Sequence, residues 1–180
     1  MSGAQEEGVL VTDGTMDLFL HISKHRMVDN YLPKICRCVE AVNERQLWEH
    51  KANETNSIGG IILHIAEHLS RHIDRYNRVE TTSGGIENHF PDNTELAPRE
   101  LVVRIEEVFT SWQNSFDQLR SDESKVVDLY SVYHLIEHVS YHLGQVVDRV
   151  QRVTGESFQF VQNGLNEKGL RKIIENELQG

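Results

Sequence analysis

The sequence is poor in proline and cysteine and has no long hydrophobic run, and each scarcity excludes a class of structure. Only 3 prolines occur among 180 residues, so long helices are possible over most of the chain. No segment approaches the roughly 18 uninterrupted apolar residues of a membrane span, so we expect no membrane partner. The chain has 18 Lys and Arg against 28 Asp and Glu. The resulting net charge of -10 makes nucleic acid an unfavourable partner.

The two cysteines and the first residues of the chain indicate a cytoplasmic protein. Cys36 and Cys38 lie two positions apart on a predicted helix, so they point to nearly opposite sides of it and are expected to stay reduced. Residues 1–15 contain acidic residues but no Lys or Arg, unlike a signal or transit peptide. We interpret this stretch as a flexible leader. Residues 16–180 are then a single domain, and the chain's 38% apolar content suits a globular fold.

What the sequence does contain is helical periodicity of its apolar residues, with no strand-like alternation of any length. Four long segments show it: residues 16–42, 58–79, 98–119 and 129–153. Pro33 interrupts the first segment, which is therefore either kinked there or begins a second helix with Pro33 in its first turn. Asn56 and Ser57 supply capping side chains at the start of the second segment, and Gly155 lies where a cap would end the fourth.

Less periodic stretches connect these segments. Residues 80–97 are rich in Thr, Ser, Gly and Asn and form a long connection, and residues 121–125 form a polar break. A short amphipathic helix over residues 165–178 closes the chain. The sequence therefore predicts an all-α fold, a four-helix bundle with a short C-terminal helix.

Histidine is in excess, with ten in the chain, and six of them share one spacing. These six form two runs, His64, His68 and His72 on the second long helix, and His134, His138 and His142 on the fourth. Residues four apart on a helix lie about 40° apart around its axis, so each run is a stripe of imidazoles on one face. Two such imidazoles can bind one metal ion from a single rigid helix, as in HExxH motifs.

The spacing alone does not decide between metal ligands and ordinary core-lining or solvated histidines. His21 and His25 repeat it on the first helix, so the pattern can arise without a site. Both stripes, however, border apolar faces, and six buried imidazoles are difficult to satisfy with hydrogen bonds alone. A shared metal ion would satisfy three of them.

Two motifs resemble a known family. The stretch HLIEHVSYHLGQVV, residues 134–147, resembles the HxxxHxxxHxGQ pattern on the fourth helix of the DinB-like (YfiT-like) superfamily. Residues 31–68 contain a YLPKI segment, a QLW element and an NSI helix start leading to a histidine. They occur in the same order as in an uncharacterised branch of that superfamily. The resemblance covers residues 16–155.

The resemblance implies an up-down-down-up bundle, with residues 80–97 as the crossover connection. It also implies one divalent ion, nickel or zinc, held by His64, His138 and His142. His134 would lie beside the ligands or on the pocket wall. Of the GQ pair, Gly144 would permit close helix packing and Gln145 would make a polar contact near the site.

The sequence departs from that branch after the first ligand position, where Glu67 and His68 replace small or amide residues. His68 could compete as a ligand or act as a base beside the site, and we rank His64 ahead of it. His72 is expected to be exposed or to lie behind the ligands. Glu67, Asp74 and Glu137 are expected to be ordinary solvated carboxylates.

A histidine-bound divalent ion acts as a Lewis acid and lowers the pKa of a bound thiol or water towards neutrality. The resemblance favours a thiol-dependent S-transferase that activates a low-molecular-weight thiol against a small-molecule substrate. One alternative is a metal-dependent hydrolase, which would use the same ion to activate water. The other is a non-catalytic metal-binding or stress-response interaction protein. The resemblance also implies a homodimer that pairs through bundle helices.

Overall fold

A computed structural model describes residues 13–50, 56–77, 96–122 and 126–179, and all regular structure in these ranges is helical. No strand occurs within them. The elements in chain order are α1 (Asp13–His25), a π-helical turn (Arg26–Tyr31), α2 (Leu32–Glu40), α3 (Glu44–Trp48), α4 (Ile58–Tyr76), α5 (Pro98–Ser121), α6 (Leu129–Thr154), α7 (Phe160–Asn163) and α8 (Glu167–Gln179). In the described part of the chain, no helix combines the length and the apolar character needed to cross a membrane.

The first long segment is one continuous helical path with a wider turn inside it. His25, Tyr31 and Leu32 all have right-handed helical backbone angles, so the chain passes from α1 through the π-helical turn into α2 without a break. Pro33 lies in the first turn of α2, directly after the π-helical turn, so it begins a new helical element. The second of the two alternatives for this segment is therefore correct.

Side-chain caps define the ends of the two histidine-bearing helices. At the start of α4, the Ser57 hydroxyl accepts a hydrogen bond of 2.9 Å from the backbone N–H of Gly60. At the start of α6, Asp128 Oδ1 accepts from the backbone N–H of Ser131 at 3.2 Å. Gly155 ends α6 with a φ of 73°, the left-handed conformation that glycine adopts without strain. The predicted caps at Ser57 and Gly155 are confirmed.

The core forms where α4 and α2 each pack against both α5 and α6. Its largest fully buried side chains include Trp112, Phe109 and Phe116 from α5, and Ile61, Ile62 and Ile65 from α4. Helices α4 and α6 run antiparallel, because Arg75 near the end of α4 donates to Ser131 near the start of α6. At their opposite ends, Arg149 donates to the backbone carbonyl of Asn56. This pairing brings the two histidine stripes face to face.

Several predicted boundaries differ from the observed ones or fall outside the described ranges. Helix α1 begins at Asp13, so the last three residues of the predicted leader are helical, and residues 1–12 lie outside the described chain. Most of the predicted connection, residues 80–95, and residues 123–125 of the polar break also lie outside it. The predicted tail helix is present as α8.

The two cysteines are free thiols with different surroundings. Cys38 is fully buried in the core and Cys36 is half-buried. Burial raises the pKa of Cys36 to about 11 and that of Cys38 to about 12. Both thiols are therefore protonated at neutral pH and poor nucleophiles.

Candidate metal centre

Three histidine nitrogens converge between α4 and α6. His64 comes from α4, and His138 and His142 come from successive turns of α6. One ring nitrogen from each lies within 4.8 Å of the other two, and Nε2 of His64 lies 3.0 Å from Nε2 of His138. His64 and His142 are buried and His138 is half-buried. The fold therefore places the predicted ligands together as a compact set of nitrogen donors.

The protonation state of two of these imidazoles suits metal binding. Burial, reinforced by neighbouring His142 and His64, lowers the pKa of His138 to about 4. Burial also lowers the pKa of His142, although its hydrogen bond to Gln145 partly opposes this shift. Both rings are neutral at pH 7 and present a nitrogen lone pair, which is the form that binds metal.

Gln145 holds His142 in one orientation. The Gln145 side-chain oxygen lies 2.8 Å from Nδ1 of His142, and since that oxygen can only accept, Nδ1 carries the proton. Nε2 of His142 is then the metal-binding nitrogen. The amide nitrogen of Gln145 donates to the Tyr141 hydroxyl at 3.2 Å, which fixes the amide in turn. Metal-binding histidines usually have such a partner on their second nitrogen.

His68 lies beside the three-nitrogen group. It is half-buried, and its ring stacks on that of His138 with centroids 3.8 Å apart and meets the His64 ring edge-on at 4.6 Å. Burial and the neighbouring histidines, His138 first among them, lower the pKa of His68 to about 3. A neutral imidazole is thus available next to the centre.

His72 is buried, which excludes the exposed position among the two alternatives expected for it. It lies one turn beyond His68 at the contact between α4 and α6, with its Nδ1 3.5 Å from the Ser131 hydroxyl. Burial, reinforced by Arg75, lowers the pKa of His72 to about 4. The spacing of apolar residues on α4 did not indicate this burial, because the buried face of α4 also includes histidines.

A cavity of about 670 Å³ opens beside the centre, between α6 and the helical path of α1 and the π-helical turn. His138 lines it, and the exposed His134 lies on its wall. Apolar and aromatic side chains form much of the rest, namely Phe19, Ile22, Tyr31, Tyr133, Ile136 and Tyr141. A small molecule in this cavity would therefore reach the His138 edge of the centre.

Gly144 does not have the packing role that the resemblance implied. It is exposed on the outward face of α6, and a Cβ added there meets no atom within 4 Å. Of the carboxylates expected to be solvated, Glu67 forms an ion pair with Arg71 one turn along α4, and Glu137 is exposed on the cavity wall. Asp74 is half-buried in a groove between α4 and α5.

A second group of potential ligands, which the sequence did not predict, lies where α8 meets α1. It consists of His21 and His25 from α1 and Glu177 from α8. The histidine spacing was visible in the sequence but was interpreted as a pattern without a site. Glu177 follows His25 by about 150 residues, and no local pattern links the two.

Comparison with known proteins identifies no relative of this chain. No family model, no curated protein and no solved structure matches the chain. Inferences about function therefore depend on the residues and their geometry.

Proposed function

We propose that the chain is a metal-dependent enzyme of the DinB-like type, in which His64, His138 and His142 hold one nickel or zinc ion. The convergence of three imidazole nitrogens from two antiparallel helices supports this most directly. Zinc–nitrogen bonds of about 2.0–2.1 Å place neighbouring nitrogens of a tetrahedral site about 3.3 Å apart. The 3.0 Å between Nε2 of His64 and Nε2 of His138 is close to that separation. The donor set therefore fits a borderline divalent ion.

The proposed bundle has up-down-down-up connectivity, and contacts at the helix ends support it. Arg120 at the end of α5 donates to Asp17 near the start of α1, so these helices are antiparallel. Arg37 near the end of α2 pairs with Glu156 just beyond the end of α6, so these helices are parallel. Since α4 is antiparallel to α6, it runs in the same direction as α5. The α4–α5 connection is then the crossover.

The proposed reaction is transfer of a low-molecular-weight thiol to an electrophilic small molecule. Three protein ligands would leave a coordination position open, and a bound ion would supply a Lewis acid that favours the thiolate form. The cavity wall of Phe19, Ile22 and Tyr31 would accommodate an apolar substrate body. His134, exposed on the same wall, is placed to accept the thiol proton. The sulfur forms a C–S bond as the leaving group departs with its electron pair.

Two other functions are compatible with the same centre. A metal-dependent hydrolase would use the open position for water instead of thiol. A non-catalytic metal-binding or stress-response interaction protein would close that position with a fourth protein ligand. His68, adjacent to His64 and His138, is the residue that could do so. The S-transferase is preferred because the cavity beside His138 gives a second small molecule room next to the centre.

The first test is metal content, measured by elemental analysis on protein purified without an affinity tag. We expect His138→Ala and His142→Ala each to lose one equivalent of nickel or zinc relative to the wild type. His134→Ala is the matched control on the same helix and is expected to keep it. Equal metal content in all four proteins would refute the proposed centre.

The second test separates the three functions. Cobalt-substituted protein should show d–d bands that shift when a small thiol such as cysteamine is added, because the thiol enters the open position. Turnover of an aryl halide with that thiol, lost in His138→Ala, would support the transferase. Ester hydrolysis without thiol would favour the hydrolase. Cobalt bands that change only in His68→Ala would indicate a closed, non-catalytic site.

A further inference from the structure

The contact between α1 and α8 contains a second set of converging donors, separate from the His64 centre. His21 and His25 lie one turn apart on α1, and Glu177 reaches them from α8. One donor atom from each of the three lies within 4.8 Å of the other two. Both histidines are buried.

His25 is oriented in the way that metal-binding histidines commonly are. Its Nδ1 lies 2.6 Å from Oδ2 of Asp29, and its Nε2 faces Oε2 of Glu177. If the Nδ1–H of His25 donates a hydrogen bond to Asp29, the neutral ring has an acceptor at Nε2. That nitrogen then faces a carboxylate oxygen of Glu177, which is also an acceptor. Two acceptors in contact repel each other unless a cation lies between them. Either a proton or a metal ion can serve as that cation.

His21 supplies the third donor. Its exposed fraction is 5%, and its Nδ1 is a buried atom without a hydrogen-bond partner in the described part of the chain. That nitrogen lies 3.5 Å from the same Oε2 atom of Glu177. The other oxygen, Oε1, accepts from the Lys24 ammonium at 2.5 Å, so Oε2 is the oxygen directed at the histidines. Arg120 donates to Nε2 of His21 at 2.5 Å, so the proton of the neutral ring is on Nδ1 when no metal is bound. Metal binding through Nδ1 requires that proton to move to Nε2, and Arg120 then keeps its ion pairs with Asp17 and Asp117.

The net charge of the side chains around this group is suited to a divalent cation. Two cations, Lys24 and Arg120, lie among four carboxylates. The carboxylates are Asp17, Asp29, Asp117 and Glu177. With neutral imidazoles the cluster has a net charge of -2, which one divalent ion would neutralise.

We propose that His21, His25 and Glu177 form a second divalent-metal site, suited to zinc, which fastens the C-terminal helix to α1. Two imidazoles and one carboxylate are a ligand set that zinc uses in proteins. Glu177 binds through one oxygen while Lys24 holds the other. The site does not depend on the His64 centre or on any enzymatic activity.

The test uses the full chain with His138→Ala and His142→Ala, which removes the first centre. Zinc binding is measured by equilibrium dialysis at pH 7.5, and circular dichroism confirms that each protein is folded. We expect one remaining equivalent, with at least a tenfold loss of affinity in Glu177→Gln and in His25→Ala. Glu175→Gln, an exposed carboxylate on the same helix, is the matched control and should bind zinc as before.

Each result decides the proposal. No remaining equivalent, or one that Glu177→Gln and Glu175→Gln affect equally, would overturn it. If the double variant does not fold, the same comparison is made in the wild-type background, where the zinc stoichiometry should fall by one equivalent in Glu177→Gln and stay unchanged in Glu175→Gln. Hydrogen exchange gives a second readout, because zinc should slow amide exchange in α8 at least tenfold, and only when Glu177 is intact.

Discussion

Gln145 is the residue that sets the orientation of a proposed metal ligand without binding the metal. Its side-chain oxygen accepts from Nδ1 of His142 at 2.8 Å. We expect Gln145→Leu to weaken zinc affinity by about 10- to 100-fold, because the imidazole loses the partner that fixes its tautomer and rotation. Competition against a chromophoric chelator measures this change.

The conservative variant Gln145→Glu distinguishes orientation from general structural damage. A carboxylate also accepts from Nδ1, so this variant should retain zinc affinity within a few-fold of the wild type. Loss of affinity in both variants, with unchanged circular dichroism, would mean that the amide's hydrogen bond to Tyr141 is what matters. Unchanged affinity in both would remove Gln145 from the site.

We expect the free energy of unfolding to decrease at acidic pH because of His72. Burial lowers its pKa from 6.5 to about 4, so between these values the unfolded chain binds a proton that the folded chain does not. Stability therefore rises with pH through this window and falls as pH drops below 6.5. The contribution of His72 between pH 7.5 and pH 5 is about 2 kcal/mol. Urea unfolding at both pH values should show a smaller loss for His72→Gln than for the wild type.

His134→Gln is the comparison variant for that measurement. The charge of His134 reinforces the low pKa of His72, so removing it should reduce the pH dependence, but by less than removing His72 itself. A His72→Gln chain with the same pH dependence as the wild type would show that His72 is not buried in its neutral form.

At the residue scale, the sequence indicated which histidines could meet but not how each would lie. The repeated four-residue spacing on two helices indicated six candidate histidines, and the family resemblance selected His64, His138 and His142 among them. The stacking of His68 on His138 and the burial of His72 depend on how α4 and α6 are rotated against each other. Side-chain packing sets that rotation, and periodicity does not encode it.

At the element scale, two glycines on histidine-bearing helices should respond in opposite ways to alanine. A Cβ at Gly59 of α4 would overlap the ring of Trp48. The ring cannot easily retreat, because its Nε1 donates to the Leu96 carbonyl at 2.9 Å. We expect Gly59→Ala to lower the free energy of unfolding by about 1–3 kcal/mol.

Gly144→Ala is the control, and we expect it to raise the free energy of unfolding. Gly144 is exposed within α6 with open space around it, and alanine favours a helix by about 1 kcal/mol over glycine. Urea denaturation of both variants measures the two changes. Destabilisation by Gly144→Ala would mean that another molecule packs on this face of α6, as the proposed homodimer would require.

Helix positions were largely predictable because the sequence contains local signals for them. Ser57 and Gly155 mark ends where a side-chain oxygen or a left-handed residue completes the backbone hydrogen bonding. The π-helical turn Arg26–Tyr31 was not predictable, since six residues are too few to distinguish its period from that of an α-helix. This turn nonetheless contributes Arg26 and Tyr31 to the cavity wall.

At the scale of the whole molecule, the least predictable feature is contact between distant parts of the chain. The His64 centre could be anticipated because each helix carries a visible stripe of ligands. The group of His21, His25 and Glu177 could not, because α8 has no motif that indicates where it docks. Docking of a short amphipathic helix depends on the surface that the other helices create, which only the folded chain defines.

Metal binding should stabilise the whole molecule, since an ion held by His64, His138 and His142 would join α4 to α6. A ligand at about 100 times its Kd stabilises the folded state by about 2.7 kcal/mol. For a chain of this size that corresponds to an increase in Tm of roughly 5–10 °C. The measurement is calorimetry of Glu177→Gln protein, which isolates the first centre, after chelation and after adding zinc. His138→Ala in that background should show no zinc-dependent rise, and an equal rise in both proteins would place the stabilising ion elsewhere.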